Sequence, residues 1–183
     1  MERRTCSGFT LVELLIAIVV AAILFGVAIP SVSNLLERQQ SWTTLNDLRT
    51  GLHQAREYAV RNGVRVTVCR SADGITCFTG ERWNDGWMVF EDPDNLRDCD
   101  AATDGRCDHG GRILSVSPGL DSGMYITANH LVRNSARFYP QGDARASNGT
   151  FTACSADGEV LRGMVLAFSG RVRVARDGDG TRC

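Results

Sequence analysis

With 183 residues, one domain is the default expectation and two would be crowded. A hydrophobic content of 43% suffices for a core and excludes a disordered chain, while 20 basic against 21 acidic residues exclude a histone-like polycation and a supercharged acidic protein. All the basic residues are arginine, which excludes chemistry that needs a lysine amine, and seven cysteines point to an oxidising compartment.

The first predicted element is the apolar run 9–29, 21 residues with one charge, Glu13. That length spans a bilayer as a helix. Arg3 and Arg4 precede it and hold that end in the cytoplasm. A secretory signal peptide would place a small-residue cleavage site after the apolar stretch. Here Pro30, Ser31 and a polar helical pattern follow, and the small residue, Gly8, comes before the stretch. Glu13 is costly inside a membrane, about 2.5–3.5 kcal/mol on insertion scales. Either it sits near enough to the interface to be solvated or a positive partner neutralises it.

The stretch Gly8-Phe9-Thr10-Leu11-Val12-Glu13-Leu14 resembles the class III prepilin signature. The resemblance implies cleavage between Gly8 and Phe9 by a prepilin peptidase, and methylation of the Phe9 amine. It implies pairing of Glu13 with the N-terminus of a neighbouring subunit in a filament, and a helix kink at Pro30. It also implies a single-pass inner-membrane protein with a periplasmic head, reaching the cell surface on assembly.

Residues 31–61 read as an amphipathic helix. Trp42, Leu45, Leu48, Leu52, Ala55 and Ala59 draw one apolar stripe, opposite Arg38, Asn46, Arg49, Arg56 and Glu57. Asn62-Gly63 is a helix stop. Val64, Val66 and Val68 then alternate with Arg65, Thr67 and Cys69, which predicts a strand. Further strands are expected at 75–78, 87–90, 112–116, 124–128, 137–139, 150–154, 164–168 and 171–174. The fold class is α+β: a long N-terminal helix, transmembrane and then amphipathic, followed by an antiparallel, sandwich-like β head. The expected divisions are a leader 1–8, a membrane half-helix 9–29, an amphipathic half-helix 30–62 and a head 63–183.

Cleavage after Gly8 would remove Cys6 and leave Cys69, Cys77, Cys99, Cys107, Cys154 and Cys183. Six cysteines allow fifteen connectivities, which sequence alone does not resolve. The expectation adopted is local pairing: Cys69–Cys77, Cys99–Cys107 and Cys154–Cys183. No C-x-x-C occurs, which argues against zinc. Asp92, Asp94, Asp98, Asp100, Asp104 and Asp108 offer hard oxygens, but their spacing does not match an EF-hand loop. No metal or cofactor is expected. Nor is a catalytic site: His53, His109 and His130 fall on the helix, in the acidic loop and in a turn, and no nucleophile elbow or zinc-protease motif is present.

Residues 81–108 carry nine carboxylates and three arginines, whereas residues 133–176 carry seven arginines and three carboxylates. Within the basic stretch, Arg171-Val172-Arg173-Val174 alternates, so Arg171 and Arg173 should share a strand face while Val172 and Val174 face the core. Arg176 follows. Guanidiniums in such a row suit phosphates, and they are equally what an ordinary solvated strand face presents. Arg49, on the far helix, is expected to stand apart from them.

The prepilin start, V-T-V-C-R-S-A-D-G, the Trp83/Trp87 pair, F-Y-P-Q-G and S-G-R-V-R together resemble the FimT/GspH family. The resemblance implies a minor pilin, a type II secretion pseudopilin or a purely structural pilus-priming subunit with no ligand, whose partners are other pilins or pseudopilins. In FimT proteins a C-terminal G-R-x-R motif binds DNA in natural transformation. Here that motif is Gly170, Arg171, Val172 and Arg173, and it implies a DNA partner for this chain. The acidic stretch departs from that reading and has to face away from the arginines.

Overall fold

The computed structural model describes residues 9–101, 105–119 and 123–183, with backbone only over 24–38. Cys6, Gly8 and Asp104 lie outside the described residues, and Pro30, where a kink is expected, is described by its backbone alone, as part of a helix. Helix α1 spans Leu11–Asn62. The chain divides into two compact units, Met1–Leu36 and Glu37–Cys183.

In the first unit α1 starts on a capping box. Thr10 Oγ1 accepts the Glu13 N–H at 3.3 Å, and Glu13 Oε2 accepts the Thr10 N–H at 3.0 Å. Two donors with no partner inside the helix are thereby satisfied. The large apolar side chains from Phe9 to Ile23 are exposed. Among the described residues no helix is long and apolar enough to cross a membrane. The apolar run itself continues to residue 29, beyond the side chains described.

In the second unit α1 buries Leu45, Leu48, Leu52, Ala55 and Ala59, the stripe set by the three- and four-residue spacing. Trp42 departs from that stripe and is 42% exposed. Gly63, at φ 67°, ends the helix in the left-handed conformation that glycine adopts without strain.

Eight strands follow: β1 Val66–Arg70, β2 Gly86–Glu91, β3 Ile113–Pro118, β4 Tyr125–Ala128, β5 Ser135–Phe138, β6 Gly149–Cys154, β7 Val160–Leu166 and β8 Val172–Val174. They form two antiparallel sheets, ordered β3-β2-β1-β5 and β4-β6-β7-β8. The inner faces and α1 share one core. Val66, Val68, Val89, Ala136 and Phe138 come from the first sheet, and Ile126, Phe151, Met164, Leu166 and Val172 from the second. Trp83 meets Phe151 edge to face, with ring centroids 5.2 Å apart, and its indole N–H donates to the Val132 carbonyl at 3.0 Å.

The first sheet is buried on its outer face too. Cys69, Met88 and Phe90 make a second small core there with Cys77, Cys99 and Cys107, carried by the connections on either side of β2. Disulfides Cys69–Cys77 and Cys99–Cys107 close those connections. This explains why every residue of β1 is buried although its valines alternate with polar residues. Residues 75–78 do not form the expected strand. Asp73 Oδ1 accepts the N–H groups of Ile75 and Thr76, each at 2.9 Å, and the hydroxyls of Ser71 and Thr79, so it folds this β-prone tetrapeptide into a turn. Burial pushes the Asp73 carboxyl up, but these four bonds outweigh it and hold the group at about 2.

The same outer face holds a buried ion pair. Arg137 Nε lies 3.2 Å from Asp92 Oδ2, both side chains 3% exposed, although the two are out of line for a hydrogen bond. Asp92 also accepts the Thr67 hydroxyl at 2.8 Å and the Leu96 N–H at 2.9 Å. Of the aspartates considered as cation ligands, Asp92 is thus engaged by the fold. Among the described residues no cluster of His, Cys, Asp or Glu could hold a metal ion.

The outer face of the second sheet is crossed by residues 175–183. Thr150 Oγ1 donates to the Asp179 carbonyl at 2.8 Å, Thr127 Oγ1 to the Arg182 carbonyl at 2.9 Å, and disulfide Cys154–Cys183 ties the segment down. Gly163 on β7 makes room for it: a Cβ there would stand 2.4 Å from Thr181 Cγ2.

Candidate nucleic-acid interface

The arginine turn links β7 to β8. Ala167 N–H donates to the Arg171 carbonyl at 2.9 Å, and Gly170 N–H to the Ala167 carbonyl at 2.8 Å. Gly170 sits at φ 75°, and a Cβ on it would lie 2.0 Å from the Gly142 carbonyl oxygen and 3.0 Å from Arg56 Nε. Only glycine fits that approach. Arg56, on α1, donates to the Gly142 carbonyl at 2.8 Å and to the Ser169 carbonyl at 3.3 Å. The glycine of G-R-x-R therefore shapes the turn, and the helix fixes it in place. Arg171 emerges exposed at its end, with no ion-pair partner among the described residues.

Two expectations for β8 need correction. Val172 is buried at 4% exposure, but Val174 is 48% exposed because β8 is the edge strand and the core ends beside it. Arg173 is not a free cation. Its Nη1 and Nη2 donate to the two carboxylate oxygens of Asp179 at 2.6 and 2.8 Å. Asp179 also accepts the Arg176 N–H at 2.6 Å. The bond from Arg173, then that from the Arg176 amide, hold the Asp179 carboxyl well below the usual carboxylate range, and the same pair raises Arg173. The Arg176 side chain is exposed.

The position of Arg49 is a third correction. With Trp42, Arg162 and Arg173 it lines a slot between α1 and the edge formed by β7 and β8. Arg162 lies over the Trp42 ring, its guanidinium carbon 4.2 Å from the centroid. Spacings of seven, four and three residues put Trp42, Arg49, His53 and Arg56 on one side of α1. Burial first, and then Arg49 and Arg56, hold His53 below its ordinary value. The acidic residues 81–108, by contrast, flank and follow β2 in the first sheet, and the arginine turn belongs to the second.

The exposure of Arg171 agrees with the alternation of the sequence. The contacts of Asp179 and Arg162 carried no sequence signal, because they depend on the path of the C-terminal segment and on which strand end lies beside Trp42.

The family described as type II transport protein GspH matches residues 44–178, and the prokaryotic N-terminal methylation motif matches residues 3–29. No curated protein sequence matches the chain. The fold resembles crystal structures of the type IV minor pilin FimU of Pseudomonas aeruginosa strain PAO1. In space group P21 the TM-score is 0.55 at 16% identity, over 76% of this chain and 91% of FimU. In space group P65 it is 0.52 at 15%, over 74% and 92%. A match covering most of the head, joined to a methylation motif at the start of α1, places the protein: the chain belongs to the GspH family of minor pilins and pseudopilins.

Proposed function

We propose that this protein is a minor type IV pilin whose head captures DNA, without regard to sequence, for uptake in natural transformation. The observation that carries the reading is the G-R-x-R turn, pinned by Arg56 with Arg171 facing solvent. In this reading prepilin peptidase cuts between Gly8 and Phe9, Phe9 is methylated, and the run 9–29 anchors the protein in the inner membrane with its head in the periplasm. On assembly Glu13 exchanges its cap on Thr10 for the N-terminus of a neighbouring subunit. The structure of FimU, a type IV minor pilin, supports a pilus assignment through its fold. The GspH family description favours a second reading, a type II secretion pseudopilin that binds no DNA.

The test is an anisotropy titration of labelled duplex DNA with the full-length protein in detergent micelles. The expected dissociation constant is on the order of 10⁻⁴–10⁻⁶ M, usual for phosphate-only contacts. Arg171→Gln with Arg173→Gln is expected to weaken binding at least about tenfold, since Arg171 is lost and Asp179 is left as an uncompensated negative charge beside it. Asp179→Asn is expected to tighten it, because Arg173 is released. No binding by the wild type at low salt sinks the DNA reading in favour of the pseudopilin.

A further inference from the structure

Arg173 is neutralised by Asp179, so the turn alone offers a phosphate only Arg171 and Arg176. Beside it, Arg49 and Arg162 have no carboxylate partner among the described residues. Both stand at the slot under Trp42. The contact of Arg162 with the Trp42 face holds the guanidinium beside the slot and leaves N–H donors for another acceptor. An exposed tryptophan lies under one arginine, with a second arginine along the same helix, and neither guanidinium has a carboxylate to donate to among the described residues. The slot itself encloses about 20 Å³. That is room for about one water and not for a nucleobase. Whatever binds there contacts the rim, and the rim offers guanidiniums.

Resting on the DNA reading above, we infer that Arg49 and Arg162, oriented by Trp42, form a second phosphodiester-binding subsite. It continues the DNA track from the β7–β8 turn onto α1. A strand lying across both subsites crosses the edge of the second sheet, away from the acidic first-sheet connections. The ligand is the nucleic-acid backbone and not the base, so contacts are sequence-independent and each adds to the salt dependence.

The test uses full-length protein in micelles, titrated with labelled duplex DNA at several salt concentrations. Arg49→Gln with Arg162→Gln is expected to weaken binding about three- to tenfold and to flatten the slope of log K against log salt by about 1.8, two phosphate contacts at 0.9 each. Arg49→Lys with Arg162→Lys is expected to keep most of the slope, because charge is retained. Trp83 and Trp87 are buried, so a DNA-dependent change in tryptophan emission reports Trp42, and Trp42→Phe is expected to abolish it. If the glutamine pair matches wild type in affinity and slope while the Arg171/Arg173 pair weakens binding, the second subsite is refuted and the DNA reading stands. If that glutamine pair binds DNA normally but fails to enter filaments, the slot is a subunit contact and the inference is overturned. If wild type binds no DNA, the underlying reading fails and the subsite with it.

Discussion

Asp92→Ala is expected to destabilise the head by about 3–5 kcal/mol, the range for removing one partner of a buried ion pair. The cost comes mainly from what is left behind. Arg137 is 3% exposed, and its remaining acceptors would be the side chain and carbonyl of Asn95. The Thr67 hydroxyl and the Leu96 amide lose their acceptor as well. A cationic group without a counter-charge then sits on the outer face of the first sheet, between β1 and β5. Chemical denaturation of the two proteins under oxidising conditions measures the difference. The paired change Asp92→Ala with Arg137→Met should recover much of the loss, since it removes both charges. A loss below about 1 kcal/mol for the single variant would mean that water reaches the pair.

The second large effect is expected from Cys154→Ser with Cys183→Ser. The crosslink closes a 29-residue separation, for which the chain-entropy estimate is about 3.5 kcal/mol. Residues 175–183 would then be held by the Thr127 and Thr150 hydrogen bonds, the Arg173–Asp179 pair and the bond from the Ala175 N–H to the Gly163 carbonyl. Backbone amide exchange should rise over this segment and over β8 before it rises in β1 or β6. Arg173 should also become more available as Asp179 loosens, so DNA affinity at low salt should increase even as the melting temperature falls. A melting temperature unchanged within about 2 °C would show that the tail is held by other contacts.

What could be read from the sequence follows from how local each signal is. Asn62-Gly63 ends α1 because the left-handed cap needs only those residues, and β1 lies where the valines alternate. Residues 75–78 misled because β-prone side chains sit inside a disulfide-closed turn, where the Asp73 bonds outweigh propensity. Val174 alternates correctly and still faces solvent, because alternation says nothing about which strand is the edge. Asp179 is six residues from Arg173, yet its role depends on the tail turning back beneath β8, which no short-range pattern encodes. Trp42 fits the helical stripe by spacing, but what meets its ring from β7 is the guanidinium of Arg162 and not an apolar side chain.

The three disulfides share one property of connectivity: each half-cystine of the head is joined to the next one along the chain. An oxidant that meets the chain progressively from its N-terminal side finds, at every second thiol of the head, the correct partner already waiting and no other reduced thiol of the head to compete with it. Nearest-neighbour capture therefore delivers the native pattern directly, without the shuffling that interleaved bonds require. Under the pilin reading proposed above, export presents the chain in that order, which suits the head to oxidation as it emerges.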